Sequence, residues 1–128
     1  KTVEDLMFKE KKVPFIKENI LMGNALKIMN KFNLGVLVVR NKSKKTSGII
    51  SDGDIKRISQ KNANMKNLVA KKIMKQNPLS VNKDMLASQA LSIMNSKKVT
   101  CLCVHNKTMK NKTIGILTIH NILNANIR

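Results

Sequence analysis

Ser51-Asp52-Gly53-Asp54 places two of the chain's seven acidic residues beside a hydroxyl in one short turn, the densest polar cluster in the sequence. A hydroxyl followed three residues later by a carboxylate has two readings. The first is a helix start, in which Ser51 or an Asp accepts from the free N–H groups of the first turn and Gly53 relaxes the backbone. The second is a ligand site. There the hydroxyl and the helix-start N–H groups face an anion, while Asp54, one turn on, chelates the vicinal hydroxyls of a ribose. An Asp-x-Asp metal site is a third use of such a turn, but carboxylate Mg²⁺ sites recruit further acids or substrate phosphates. With seven acids in the whole chain there are few left to offer, and no metal is expected.

The cluster occurs in a repeat. Gly48-Ile49-Ile50-Ser51-Asp52-Gly53-Asp54-Ile55 returns as Gly115-Ile116-Leu117-Thr118-Ile119-His120-Asn121-Ile122, an offset of 67. Asp5-Leu6-Met7 answers Lys72-Ile73-Met74 at the same offset, and Met22, Ala25, Leu26 and Met29 recur as Ala87, Ala90, Leu91 and Met94 at an offset of 65. The second junction keeps the hydroxyl, as Thr118, and carries an amide, Asn121, where the first has the Asp54 carboxylate. A polar group at a strand end and another three residues on, present twice, favours ligand binding over a lone cap. Repeats of this size are supersecondary units that stack to share a core. A half-chain of roughly 60 residues is marginal alone, so residues 1–62 and 63–128 are expected to form one pseudo-symmetric module with a cleft where the halves meet.

The elements that must position these junctions follow from periodicity. Met22, Ala25, Leu26, Met29 and Phe32 keep the i, i+3, i+4, i+7 spacing of an amphipathic helix, as do Ala87, Ala90, Leu91 and Met94. Asp84 stands where the N-cap of the second helix is expected. Each helix leads into a β-rich run, Val36–Val39 or Cys101–Val104, then a lysine-rich loop, 41–46 or 106–112, and a second strand ending at Ser51 or Thr118. Helices of roughly 56–60 and 120–127 follow, short helices hold Leu6-Met7 and Ile73-Met74, and polar residues 60–67 join the halves. The predicted order in each half is strand, helix, strand, strand, helix, giving two small sheets covered by helices.

Composition narrows the function. The net charge of +18 suggests a polyanion partner, yet only Arg40, Arg57 and Arg128 of 25 basic residues are arginine, the side chain that grips phosphate and guanine bidentately. Phe8, Phe15 and Phe32 are the only aromatics, too few for a base-stacking platform. The charge is read as a solvated surface, and no specific nucleic-acid partner is expected. No apolar run approaches the roughly 20 residues of a membrane span, so no membrane partner is expected and a cytoplasmic protein is the default. Cys101 and Cys103 alternate on one strand and are read as small buried hydrophobes. His105 begins a loop and is read as solvated. The chain holds no P-loop, no nucleophile with a paired base and no metal quartet; no catalytic residue and no cofactor are assigned. It opens on Lys1 without an initiator Met, as expected of a piece of a longer polypeptide.

The doubled pattern Gly-hydrophobic-hydrophobic-Ser/Thr-x-x-Asp, preceded by the helix-strand-strand unit, resembles a tandem pair of cystathionine-β-synthase (CBS) domains, a Bateman module. Together with Ile55-Lys56-Arg57, Asn77-Pro78, Ser92-Ile93, Val99-Thr100 and Leu123, it is similar to the C-terminal CBS pair of bacterial D-arabinose-5-phosphate isomerases. Those enzymes interconvert ribulose 5-phosphate and arabinose 5-phosphate at the head of the 3-deoxy-D-manno-octulosonate (Kdo) route to lipopolysaccharide. The resemblance implies an α/β (α+β) fold of two βαββα repeats with pseudo-two-fold symmetry, a dimer, and a catalytic sugar isomerase domain N-terminal of Lys1. It implies a regulatory site for a nucleotide or nucleotide-sugar, CMP-Kdo or an adenine nucleotide, drawn from Ser51, Asp52, Asp54, Thr100, Thr118, His120 and Asn121. Relatives carry His-x-His-Asp where this chain has Thr118-Ile119-His120-Asn121, so only His120 matches there. Two other readings stand beside this one: a structural oligomerisation module with empty clefts, and a pair regulating a sugar-nucleotide transferase.

Overall fold

The computed structural model describes residues 1–127. Thr2 starts the first helix, α1 (Val3–Leu6): its hydroxyl accepts from the Asp5 N–H at 3.4 Å, and the Asp5 carboxylate accepts from the Thr2 N–H at 2.9 Å. Two satisfied donors for two side chains let so short a helix form. Strands β1 (Phe8–Lys9) and β2 (Phe15–Lys17) follow, then α2 (Met22–Phe32), which buries Met22, Ala25 and Met29 as its spacing requires. Asn33 ends α2 in the left-handed region at φ +55°, its N–H donating to the Met29 carbonyl, a conformation that Asn tolerates better than most residues. The first half continues with β3 (Val36–Arg40), β4 (Thr46–Ser51) and α3 (Asp52–Lys61). Next come α4 (Ala70–Ile73), β5 (Lys75–Gln76), β6 (Ser80–Asn82), α5 (Ala87–Lys97), β7 (Cys101–His105), β8 (Gly115–Thr118) and α6 (Ile119–Asn124).

These strands form two sheets of the same design. One has the order β2-β3-β4-β5, with β2 parallel to β3 and the other pairs antiparallel. The other has the order β1-β8-β7-β6, with β6 parallel to β7 and the rest antiparallel. Ile16, Leu37, Val39 and Ile50 of the first sheet pack with Met22, Ala25 and Met29 of α2. Val81, Leu102, Val104 and Leu117 pack with Ala90, Leu91 and Met94 of α5 and Ile122 of α6. Burying each leucine of such a core contributes about 1.5–3 kcal/mol, which is why the apolar period of the helices and the strands was readable. The α/β architecture is therefore two βαββα units, each completed by a fourth strand.

The fourth strands come from elsewhere in the chain. Lys1–Lys12 packs with the chain from Leu79 onward, and Val13–Pro78 forms the other compact unit. In register, Phe8 lies opposite Ile116, and Gln76 opposite Gly48. Each sequence repeat thus sends its opening helix and strand to the sheet of the other repeat. The sequence halves 1–62 and 63–128 and the packing units are different divisions of the same chain.

Several local expectations are corrected. Helix α3 starts at Asp52 rather than near 56 because Ser51 itself is its N-cap, and α6 runs only Ile119–Asn124, closed at its end by Ala125, whose N–H donates to the Ile122 carbonyl. Asp84 is not the N-cap of α5: that place is taken by Leu86, whose N–H donates to Gln89 Oε1 at 3.3 Å. Asp84 instead sits in a turn, its N–H donating to Asn82 Oδ1 at 3.0 Å and its carboxylate 3.1 Å from Lys83 Nζ. The polar 60–67 connection still buries Met65, which anchors it to the first core. His105 is not solvated. It ends β7, is 7% exposed, and its Nδ1 lies 2.5 Å from Ser80 Oγ; burial, and then the charge of Lys110, push its pKa down. Cys103 is a buried free thiol whose pKa burial pushes up to about 12.

Candidate functional site

Both junctions are built by the same backbone device. Ser51 and Thr118 are the last residues of β4 and β8 and the N-caps of α3 and α6. The Asp52 N–H donates to the Gly35 carbonyl at 3.0 Å, and the Ile119 N–H to the Thr100 carbonyl at 2.8 Å, so each helix start is tied to the foot of the neighbouring strand. In the first junction the Ser51 hydroxyl accepts from the Asp54 N–H at 3.2 Å and an Asp54 carboxylate oxygen accepts from the Ser51 N–H at 3.0 Å. In the second, Asn121 Oδ1 accepts from the Thr118 N–H at 2.8 Å and lies 3.0 Å from the Thr118 hydroxyl. These are reciprocal capping boxes, and an amide closes one as well as a carboxylate does.

The junctions differ in charge. Asp54 is 2% exposed, and its other carboxylate oxygen is paired with Arg57 and lies 3.2 Å from Lys75 Nζ. Burial pushes the Asp54 carboxyl up, but the Ser51 N–H and hydroxyl and the Lys75 ammonium outweigh it and hold the pKa below the usual value. Among the described residues no ion pair forms at the second junction, where the neutral Asn121 stands in place of the carboxylate. Asp52 is exposed and stands over Gly35, whose φ of +73° favours glycine; a Cβ there would lie 2.8 Å from Asp52 Oδ2, and the carboxylate would have to swing aside. Thr100 and His120 are exposed, Ser51 and Asn121 half-buried, and Thr118 buried.

The structure therefore brings Ser51, Asp52 and Asp54 together in one unit and Thr100, Thr118, His120 and Asn121 around the other junction. Reading the sequence missed Arg57, Lys75 and Gly35. Arg57 was accessible in principle, one helical turn beyond Asp54. Lys75 was not, because its place depends on β5 pairing with β4.

The low pKa of Asp54 has a consequence for stability. A carboxyl whose folded pKa lies below its unfolded value, near 3.8, stabilises the fold above that pH and loses the contribution as pH falls through the folded pKa. Arg57 and Lys75 are 59% and 65% exposed, so they rehydrate when the carboxylate goes, and the loss stays near about 1 kcal/mol. Asp54→Asn is expected to lower the thermal midpoint at pH 6, with the gap to the unmodified chain closing as pH falls below the usual carboxylate value, 3.8. A gap independent of pH would show that the carboxylate's charge is irrelevant to the fold.

The comparisons with known proteins agree with this architecture. The CBS domain family model matches residues 3–61 and again 70–128. Arabinose 5-phosphate isomerase KdsD of Salmonella typhimurium is 28% identical over 125 residues, 98% of this chain and 37% of that protein. The Pseudomonas aeruginosa enzyme of that name is also 28% identical, over 98% of this chain and 38% of its own length. An uncharacterised protein of Rickettsia prowazekii is 30% identical with the same coverage. The chain thus spans under two-fifths of the length of these relatives. Among solved structures, the CBS-domain protein ATU1752 of Agrobacterium tumefaciens superposes with a TM-score of 0.87 at 18% identity, covering 98% of this chain and 93% of that one. CBSX2 in complex with AMP gives 0.82 at 23%, covering 98% and 95%. The CBS pair of MJ0100 in complex with 5′-methylthioadenosine and S-adenosylmethionine gives 0.84 at 22%, covering 98% and 94%. With both repeats matched and the doubled βαββα architecture in place, the chain belongs to the CBS domain family, as a tandem pair similar along its length to the corresponding region of arabinose 5-phosphate isomerases.

Proposed function

We propose that this chain is the regulatory, non-catalytic CBS pair of a longer cytoplasmic arabinose-5-phosphate isomerase, and that it binds a nucleotide or nucleotide-sugar at its strand-to-helix junctions. The observation that carries this reading is the doubled junction. A hydroxyl at a helix start suits a phosphate, and the first junction adds a buried carboxylate with two cations attached. Ser51, Asp52 and Asp54 form the first site, and Thr100, Thr118, His120 and Asn121 the second. Two solved relatives in fold carry adenine ligands, AMP in one and 5′-methylthioadenosine with S-adenosylmethionine in the other, which supports an adenine nucleotide. The likeness to isomerases that serve Kdo synthesis supports CMP-Kdo as the alternative ligand, through which the end of the route would report on its head. On this reading the isomerase active site lies in another part of the protein.

Self-association accompanies the proposal. Leu21 and Leu86, at equivalent places before α2 and α5, are 45% and 51% exposed; side chains of that size on view suit burial against a second copy in an isologous dimer. Calorimetric titration with AMP, CMP and CMP-Kdo, with the mass followed by sedimentation equilibrium, tests both parts. Saturable binding of one of them and a mass near twice 14.4 kDa are expected. Absence of heat with all three would leave the junctions as helix caps and favour the purely structural role.

A further inference from the structure

We propose that a cavity at the opposite end of the first sheet from Ser51 is a second ligand site, one that takes a small organic phosphate. The cavity measures about 770 Å³ and lies where β2 ends and the β3–β4 hairpin turns, within the size range of small-molecule pockets. Ser51 pairs with Val36 at the start of β3, whereas Arg40 ends that strand, roughly 13 Å away at the rise of a strand. The proposal does not depend on the junctions binding anything.

Four cations, Lys17, Arg40, Lys42 and Lys44, line the cavity, and Phe15, Ile20 and Ile28 give it an apolar wall. Among the described residues none of the four has a carboxylate partner in an ion pair. The one acid in the lining, Glu18, accepts the Ser47 hydroxyl at 2.6 Å. Gathering four like charges around one cavity with a single acid is unfavourable, and a bound dianion offsets it. The arginine side chain and the hairpin backbone are also held in place. The Arg40 guanidinium stacks on the Phe15 ring, 3.7 Å from its centroid, which fixes its plane and leaves its N–H edge to bond a phosphate bidentately. Burial pushes the Arg40 pKa down, the mark of a partly desolvated cation. In the hairpin, Asn41 Oδ1 accepts from the N–H groups of Ser43 at 2.9 Å and Lys45 at 3.0 Å, closing the loop that carries Lys42 and Lys44.

The repeat supplies a control within the same chain. At an offset of 65, Phe15, Lys17 and Arg40 correspond to Ser80, Asn82 and His105. There the diagonal across the two parallel strands is a Ser80–His105 hydrogen bond rather than an arginine on an aromatic ring. Lysines stand in both hairpins, Lys107 being the counterpart of Lys42, so what the fold does not require at this end of a sheet is the arginine on its aromatic ring. Of the anions such a cavity could take, an acidic peptide would use the lysines but has no need of an apolar wall. A phosphate on a carbon skeleton uses both.

The test is a titration of the ¹⁵N-labelled chain, read from amide shifts, with ribose 5-phosphate, inorganic phosphate and ribose as probes. Ribose 5-phosphate is expected to shift the amides of residues 40–45 saturably. Inorganic phosphate should shift the same amides more weakly, and ribose should leave them unmoved. Arg40→Ala, and separately Lys42→Glu with Lys44→Glu, should weaken the effect at least tenfold. The charge-matched control Lys107→Glu with Lys112→Glu, in the other hairpin, should change it less than twofold, and Asp54→Asn should leave it unchanged. Equal loss from the control pair would mean that net charge alone attracts the phosphate and would overturn the proposal. So would shifts confined to residues 51–54 and 118–121, or a poly-glutamate peptide that moves residues 40–45 while ribose 5-phosphate does not.

Discussion

Gly48→Ala is expected to destabilise the fold by about 2–3 kcal/mol, the upper part of the range for overpacking a filled site, and to lower the thermal midpoint by roughly 10 °C. The cause is the strand that completes the first sheet. A Cβ at Gly48 would lie 2.5 Å from the Lys75 carbonyl oxygen and 2.8 Å from Met74 Sδ. The methionine could swing aside, but the carbonyl belongs to β5, which is hydrogen-bonded to β4 at that residue. Relief therefore means breaking the β4–β5 pair. Gly115 is the repeat-equivalent, with the Met7 side chain as its nearest neighbour and the Phe8 carbonyl at 2.9 Å. Because a flexible tip makes the tighter contact there, Gly115→Ala should cost less, about 1–2 kcal/mol. Met7→Ala should restore part of it, whereas Met74→Ala should restore little in the Gly48→Ala background. Urea unfolding of the four variants decides. A Gly48→Ala chain within about 0.5 kcal/mol of the unmodified one, the spread of ordinary surface changes, would mean that β5 does not press on Gly48.

The same pair of glycines shows what was legible in the sequence. Their recurrence was plain, and so were the helices on Met22–Phe32 and Ala87–Met94, because apolar period and repeat offset are local properties. Why glycine is needed was not legible: Met74 and Met7 each cover a glycine that lies more than 25 residues away in the chain, and β1 and β5 are two-residue strands without a pattern of their own. The exchange of opening segments between repeats was hidden for the same reason. Asp84 misled because its residue type suits a cap, while the structure puts Leu86 at that place and lets Gln89 close the turn. His105 misled because the strand runs one residue further than its apolar core, and Ser80 on a parallel strand satisfies its ring. At the junctions the hydroxyl and the residue three further on were readable as a pair. The cations on Asp54 were not, since one of them arrives from β5.

Asp54→Asn is expected to weaken ribonucleotide binding ten- to hundredfold, against less than about threefold for Asn121→Ala, because the two junctions share a helix start and differ in charge. The substitution is chosen to keep the fold: Asn121 already shows an amide accepting from the N-cap N–H at 2.8 Å. What it removes is a charged acceptor. A carboxylate offers about four lone-pair positions, and Asp54 uses three of them, on the Ser51 N–H, Arg57 and Lys75, which leaves one too few for two ribose hydroxyls. Ribose hydroxyls must then compete with two cations, and magnitudes decide the outcome. Arg57 and Lys75 are more than half exposed and rehydrate on release, which offsets part of the lost pairing. A hydroxyl's hydrogen bond to the charged carboxylate contributes about 1.5–3 kcal/mol, the same range as the charge-assisted bond it replaces, so a bound ribose would exchange with one cation and leave it beside the ligand's phosphate. Arg57→Ala should accordingly weaken AMP and leave adenosine unchanged, while Asp54→Asn should weaken both. For 2′-deoxy-AMP the effect of Asp54→Asn should shrink, since one of the two hydroxyls it would hold is missing. Calorimetry on the three variants with these ligands reads each arm. Equal losses from Asp54→Asn and Asn121→Ala would show that the carboxylate serves only as the cap of α3.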